Sequence, residues 1–160
     1  MGCRPHALST TPSKADDARA FGADEFLCLT DEAALAGRTS SYDFILTTSP
    51  ALDDWATLIG MLRPRGVLCM VGLPSANVSF PADELIGFEK SIAGSPIGSP
   101  DAIARMLRFA VEKGVQPRIE LFPMAETNDA MRLLAENRVR YRAVLSHDSS
   151  VTSRVPSMAR

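Results

Sequence analysis

Short apolar runs alternate with stretches whose apolar residues recur every three or four positions. His6-Ala-Leu-Ser9, Glu25-Phe-Leu-Cys-Leu29, Tyr42-Asp-Phe-Ile-Leu-Thr-Thr48, Val67-Leu-Cys-Met-Val-Gly-Leu73 and Ser91-Ile-Ala-Gly-Ser95 are predicted strands. The apolar centre of 42–48 suits a strand covered on both faces. Between these runs the pattern turns helical. Thr11 followed by Pro12 predicts a capped helix that Gly22 closes, and residues 31–35 and 82–87 read as short helices. Ser49-Pro50 repeats the cap-plus-proline signal, and Leu52, Trp55, Leu58, Ile59 and Leu62 follow at helical spacing up to the turn Arg63-Pro64-Arg65-Gly66.

A further helix starts at Ser99-Pro100-Asp101, carries Ile103, Met106, Leu107, Ala110 and Val111 on one face, and ends at Gly114. Past Gln116 the pattern predicts a strand over 119–122, a helix over 126–136 with Ala130, Leu133 and Leu134 inward, and a strand over 141–145. Residues 148–160 are rich in serine, contain Pro156 and show no period, so a disordered tail is expected. Strands alternating with helices in this way indicate α/β architecture with a parallel, doubly wound sheet.

Composition narrows the partners. The 160 residues are 46% hydrophobic, and 17 basic against 19 acidic residues leave a net charge of −2, so no basic field is available to hold nucleic acid. No apolar run reaches the ~20 residues of a membrane span and no secretory signal opens the chain, which leads to the expectation of a cytoplasmic protein. Cys3, Cys28 and Cys69 are odd in number and widely spaced, against both a zinc finger and a disulfide framework. The pairs Asp16-Asp17, Asp53-Asp54 and Asp83-Glu84 each fall in an early helical turn, where negative charge suits the dipole. His6 and His147, the only histidines, have no partner that sequence identifies, so no general base is assigned.

Ligands of open parallel sheets bind beyond the carboxyl ends of the strands, which directs attention to the strand-to-helix turns. Ser9-Thr10-Thr11-Pro12-Ser13-Lys14 puts a lysine in a first helical turn, where an anion such as phosphate would offset its charge; a solvated lysine beside an ordinary cap is the alternative. Thr47-Thr48-Ser49-Pro50 offers hydroxyls. Val71-Gly72-Leu73-Pro74 places a glycine after a buried strand, which either lets a flat ligand approach the backbone or simply permits the turn.

These turns, together with Ala20-Phe-Gly-Ala-Asp24, Tyr42-Asp-Phe-Ile-Leu46, Arg65 to Pro74, Ser91-Ile-Ala-Gly-Ser95 and Arg140-Tyr-Arg-Ala-Val-Leu145, follow in an order that resembles the carboxyl-terminal half of a zinc-type medium-chain alcohol dehydrogenase of the cinnamyl alcohol dehydrogenase branch. The resemblance implies a Rossmann-like domain that binds NADP(H) for aldehyde reduction or primary alcohol oxidation. It assigns the 2′-phosphate to Ser9, Thr10, Thr11 and Lys14, and the adenosine ribose to Thr48. Backbone at Val71, Gly72, Leu73, Gly94 and Ser95 would face the nicotinamide, and Arg142, with Arg140 as the alternative, would reach the pyrophosphate. The absence of an acidic residue near Ser9 agrees with a phosphate there, because an NAD-selective site places a carboxylate on the ribose hydroxyls. Thr47 departs from the family, which often has aspartate at that position.

By the same comparison the family's first strand, its GxGxxG turn and its zinc-binding lobe are missing. The expected organisation is a partial dinucleotide-binding domain over 1–115, a segment of the family's catalytic lobe over 116–147, and the tail. No catalytic residue or metal ligand is assigned, and the chain alone is expected to be inactive. A separate catalytic lobe or a homodimer is a possible partner. The alternatives are a non-catalytic nucleotide-binding or vestigial α/β module, or a doubly wound domain whose turns match by coincidence.

Overall fold

The computed structural model of the chain describes residues 2–49 and 54–148. The Pro50 and Leu52 positions of the predicted third helix, Asp53 and the expected tail beyond Asp148 lie outside the described residues. Two compact units divide between Ile97 and Gly98.

In the first unit, strand β1 (His6–Ser9) leads through a 3-10 turn (Pro12–Lys14) and helix α1 (Ala15–Ala20) to β2 (Glu25–Cys28). β1 and β2 pair in parallel, with His6 opposite Glu25 and Ser9 opposite Cys28. After helix α2 (Glu32–Leu35) come β3 (Tyr42–Thr47), α3 (Trp55–Met61), β4 (Leu62–Met70), α4 (Asp83–Ile86) and β5 (Ser91–Gly94), the strands forming a second parallel sheet in the order β3-β4-β5. The second unit holds α5 (Pro100–Lys113) and a parallel pair, β6 (Ile119–Pro123) and β7 (Arg142–Ser146), joined through α6 (Thr127–Ala135). The architecture is α/β, Rossmann-like, with every strand pair parallel, as the alternation predicted.

Local chemistry explains where the helices begin. Asp31 accepts the Ala34 N–H at 3.1 Å, Asp54 the Thr57 N–H at 3.0 Å and Ser99 the Ala102 N–H at 3.3 Å, each closing an open helical turn. Thr11 makes no such cap. Its own N–H donates to the Ser9 hydroxyl at 3.1 Å, and the first helical turn tightens to 3-10 geometry. Gly114 stops α5 in a left-handed conformation, φ 66°.

The core of the first unit is Trp55, Leu58, Ile59, Met61 and Leu62 packed with Leu27 of β2, Ile45 of β3 and Leu68 of β4. Lys90 is buried beside it, its ammonium donating to the Ile59 carbonyl at 2.8 Å and pairing with Glu84 at 3.2 Å. A smaller core in the second unit joins Phe122, Ala130, Leu133 and Val139.

Three sequence expectations fail in informative ways. β3 is not covered on both faces: Phe44 is 56% and Leu46 54% exposed. The apolar face of α5 is present, but none of its residues is buried, and Leu134 of α6 is exposed rather than inward. Leu62 ends the helix and starts β4, where residues 63–66 form an irregularity opposite Asp43 before pairing resumes at Phe44 and Val67. Arg63 pairs there with Asp43 at 2.9 Å and Arg65 with Glu89 at 2.7 Å, so the chain loops out instead of turning between two elements.

Leu68→Ala removes most of a fully buried side chain and is expected to lower the unfolding free energy by about 2–5 kcal/mol, and Ser99→Ala, which removes a cap, by about 1 kcal/mol. Urea unfolding of the two variants measures both.

Candidate functional site

In a parallel sheet the carboxyl ends of neighbouring strands share one edge, and the predicted site residues of the first unit gather there in two groups. At the end of β1, the Ser9 carbonyl accepts the Leu29 N–H at 2.9 Å and the Ser9 hydroxyl accepts the Thr11 N–H at 3.1 Å, while the Lys14 N–H returns to the Thr11 carbonyl at 3.2 Å. These bonds wind Ser9 to Lys14 into a compact turn. Thr10 is exposed and Lys14 half-buried. Its ammonium has no partner among the described residues, so the turn holds an unneutralised cation beside the hydroxyl residues Ser9, Thr10, Thr11 and Ser13.

The second group sits at the ends of β3, β4 and β5. The Thr47 carbonyl accepts the N–H of Val71 at 3.0 Å and of Gly72 at 3.3 Å, and the Met70 carbonyl accepts the Ser95 N–H at 3.0 Å. Gly72 is required by close approach: a Cβ there would lie 2.5 Å from the Thr48 carbonyl oxygen. The structure thus brings Thr48, Val71, Gly72 and Ser95 onto one ledge, with Gly94 and the highly exposed Leu73 alongside. Its surface is mostly backbone and small side chains, suited to a flat ligand. Arg142 is the first residue of β7 in the second unit and is exposed. The backbone N–H of Arg140 donates to Glu120 at 2.5 Å.

A cavity of about 1040 Å³ opens between β1 and β3, with Leu8 on one wall and Ile45, Leu46, Thr47 and Thr48 on the other. At its opposite end, by the first residues of the strands, lies a cluster that sequence did not assemble. His6 Nδ1 is 3.1 Å from the Tyr42 hydroxyl and 3.3 Å from Glu25, the two rings meet edge-on with centroids 5.4 Å apart, and Arg38 pairs with Glu25. The available signal was that His6 and Tyr42 each open a strand, but 36 residues separate them. Burial pushes the Tyr42 phenol above its ordinary value; the Arg38 charge opposes the shift and Glu25 adds to it. The cluster lies at the amino ends of the strands, away from the edge where parallel sheets bind ligands, and it ties β1 and β2 to β3.

Among the described residues no three His, Cys, Asp or Glu converge as metal ligands, and no disulfide joins the three cysteines. The described residues do not fit a zinc ion, and no step is assigned to one.

The pattern of the family described as zinc-binding dehydrogenase matches residues 1–112. Dehydroprecondylocarpine acetate synthase of Catharanthus roseus is 34% identical over 153 residues, which are 95% of this chain and 42% of that protein. A solved cinnamyl alcohol dehydrogenase of Sorghum bicolor superposes with a TM-score of 0.84 at 34% identity, over 94% of this chain and 43% of the other. The CAD of Helicobacter pylori, solved in complex with NADP(H), gives 0.77 at 25% identity, over 94% and 43%. The chain therefore spans about two-fifths of the length of the proteins it resembles.

Two outcomes are expected. Gly72→Ala forces a Cβ into the Thr48 backbone and should destabilise the fold by about 1–3 kcal/mol in urea unfolding. Because the Tyr42 pKa is raised from 10.0, its contribution to stability is complete below pH 10 and declines as pH rises through the higher folded value. Tyr42→Phe should remove the upper part of the tyrosinate absorbance titration.

Proposed function

The chain belongs to the zinc-binding dehydrogenase family, and on that premise we propose that its first unit binds NADP(H) within an alcohol dehydrogenase that reduces aldehydes or oxidises primary alcohols. The observation that carries this reading is the half-buried Lys14 ammonium, without a partner among the described residues, in the turn that contains Ser9, Thr10 and Thr11. A 2′-phosphate there would accept hydrogen bonds from the hydroxyls and neutralise the lysine, an arrangement stronger than neutral hydrogen bonding. The turn carries no carboxylate to repel it. Thr48 would hold the adenosine ribose. The open backbone of Val71, Gly72, Leu73, Gly94 and Ser95 would lie along the nicotinamide, and Gly72 is the position where a side chain cannot stand.

Bound NADP(H) supplies or accepts a hydride. The residues of the first unit named above are proposed to orient the cofactor. Two features support the cofactor choice: the lysine-bearing turn, and the NADP(H) found with the H. pylori relative. Catalytic zinc would be held by residues other than those described, in a separate lobe or partner, so the chain alone is proposed to bind cofactor without turning over alcohol. The second reading, a non-catalytic nucleotide-binding module, has the same cofactor chemistry and differs only in that no such partner exists.

Calorimetric titration of the 160-residue chain should show NADPH binding more tightly than NADH. Lys14→Ala should weaken NADPH by about tenfold, equivalent to about 1.4 kcal/mol, while leaving NADH unchanged. Equal affinity for the two, unaffected by the substitution, would remove the assignment. Supplied with zinc, NADP and a primary alcohol, the chain should show negligible NADPH formation; clear turnover would place the catalytic machinery inside it.

A further inference from the structure

The lysine-bearing turn and the Thr48 ledge hang from different sheets. Ser9 to Lys14 follow β1, which among the described residues pairs only with β2, whereas Thr48 follows β3, which pairs only with β4. No ladder hydrogen bond therefore fixes the distance between them. Side chains do. Leu27, Ile45 and Leu68 join the two sheets in one apolar cluster, with Leu8 of β1 and Tyr42 of β3 packed against it. The second link is polar and lies at the strand starts. His6 opens β1, Glu25 opens β2 and Tyr42 opens β3, and His6 Nδ1 stands 3.1 Å from the Tyr42 hydroxyl and 3.3 Å from one Glu25 oxygen. Arg38, ahead of β3 in the chain, pairs with the other Glu25 oxygen.

We infer that the contact of His6 with Tyr42 is a positioning device that sets the spacing between the Ser9 to Lys14 turn and the Thr48 ledge, and through it the preference for NADPH over NADH. This role presupposes that Lys14 holds the 2′-phosphate. Its leverage comes from the shortness of the strands. Ser9 is the last residue of the four in β1, about 10 Å of strand from His6, and the apolar cluster is met in between, through Leu8 and Leu27. Two sheets free to pivot on that cluster at their starts would open or close at their ends by a comparable distance, and about 1 Å is enough to stretch a phosphate hydrogen bond out of range. The contact is built to persist. With Nδ1 protonated the ring donates to Glu25 or to the phenol oxygen; with Nδ1 bare it accepts the phenol proton, so β1 and β3 stay joined in either tautomer. Burial, the largest influence on the Tyr42 phenol, raises its pKa and keeps that proton in place. The two rings also meet edge-on, which holds Tyr42 against His6 from β3. NADH has no 2′-phosphate to seat in the turn on β1, so its affinity does not depend on the spacing. NADPH engages both sheets and does.

Calorimetric titration of the full chain with NADPH and with NADH tests this in the wild type, Tyr42→Phe, Lys14→Ala and the double variant. Tyr42→Phe keeps the ring and its packing and removes only the oxygen. It is expected to weaken NADPH about three- to tenfold and to leave NADH unchanged. In the Lys14→Ala background the same substitution is expected to have no effect, because the phosphate contact through which the spacing acts is already gone. His6→Leu, which breaks the contact from the β1 side, should reproduce the pattern, and urea unfolding identifies which variants are folded at the titration temperature. Equal losses for NADPH and NADH, or a Tyr42→Phe effect that persists beside Lys14→Ala, would reveal a merely structural contact and overturn the inference. Unchanged NADPH affinity in a folded Tyr42→Phe or His6→Leu chain, where Lys14→Ala does weaken it, overturns the positioning role alone. Unchanged NADPH affinity in Lys14→Ala removes the phosphate assignment and the positioning role together.

Discussion

Two sheets that share no backbone hydrogen bond stay in one unit because they share an apolar core. Leu27 of the β1-β2 pair lies in the same cluster as Ile45 and Leu68 of the other sheet, and α3 adds Trp55, Leu58, Ile59 and Met61 to it. Burial of large aliphatic side chains is worth about 1.5–3 kcal/mol apiece, so this cluster carries a load that ladder hydrogen bonds carry elsewhere. The Glu25, His6, Tyr42 and Arg38 contacts add a polar clamp at one end. Lys90 fastens the end of α3 to α4 by bonding the Ile59 carbonyl and Glu84. The Ser9 to Lys14 turn and the Thr48, Gly72 and Ser95 ledge both hang from this arrangement.

The two ledges differ in how they are made. The Ser9 to Lys14 turn is local, three hydrogen bonds over six residues and the first residue after β2, so it needs little beyond its own sequence. The Thr48, Gly72 and Ser95 ledge is assembled from three strand ends brought into line by the β3-β4-β5 register. Shifting that register by one residue would turn the strands' side chains to the opposite face and move Gly72 off Thr48. The tight Gly72 contact is therefore a gauge of alignment as well as an opening for a ligand.

Periodicity made the elements legible because each depends on residues a few positions apart. Ser99, Pro100 and Gly114 mark the limits of α5 by local chemistry, and the structure keeps them. Cap choice was harder: Thr11 looked like a cap by residue type, but Ser9, two residues earlier, holds the Thr11 N–H. What covers an apolar face was not legible. The pattern of β3 and of α5 identifies which residues should be hidden, but Phe44, Leu46, Met106 and Leu107 remain exposed, because pattern carries no information about the neighbour that would hide them. The His6–Tyr42 contact was unreadable for a related reason, since it depends on how two sheets face each other and not on any local signal. Of the candidate site, the residue types at the turns were visible in advance; the crowding of Gly72 against Thr48 required coordinates.

The gap between β1 and β3 bears on solubility. A sheet edge flush with the surface can template the edge of any other sheet it meets, a route to aggregation that proteins ordinarily block with charge or proline. Here both edges are recessed, each facing the other across a cavity. A foreign sheet would have to shed its own neighbours to enter. The inward placement therefore keeps these unused hydrogen-bonding groups out of reach of a sheet that stays folded.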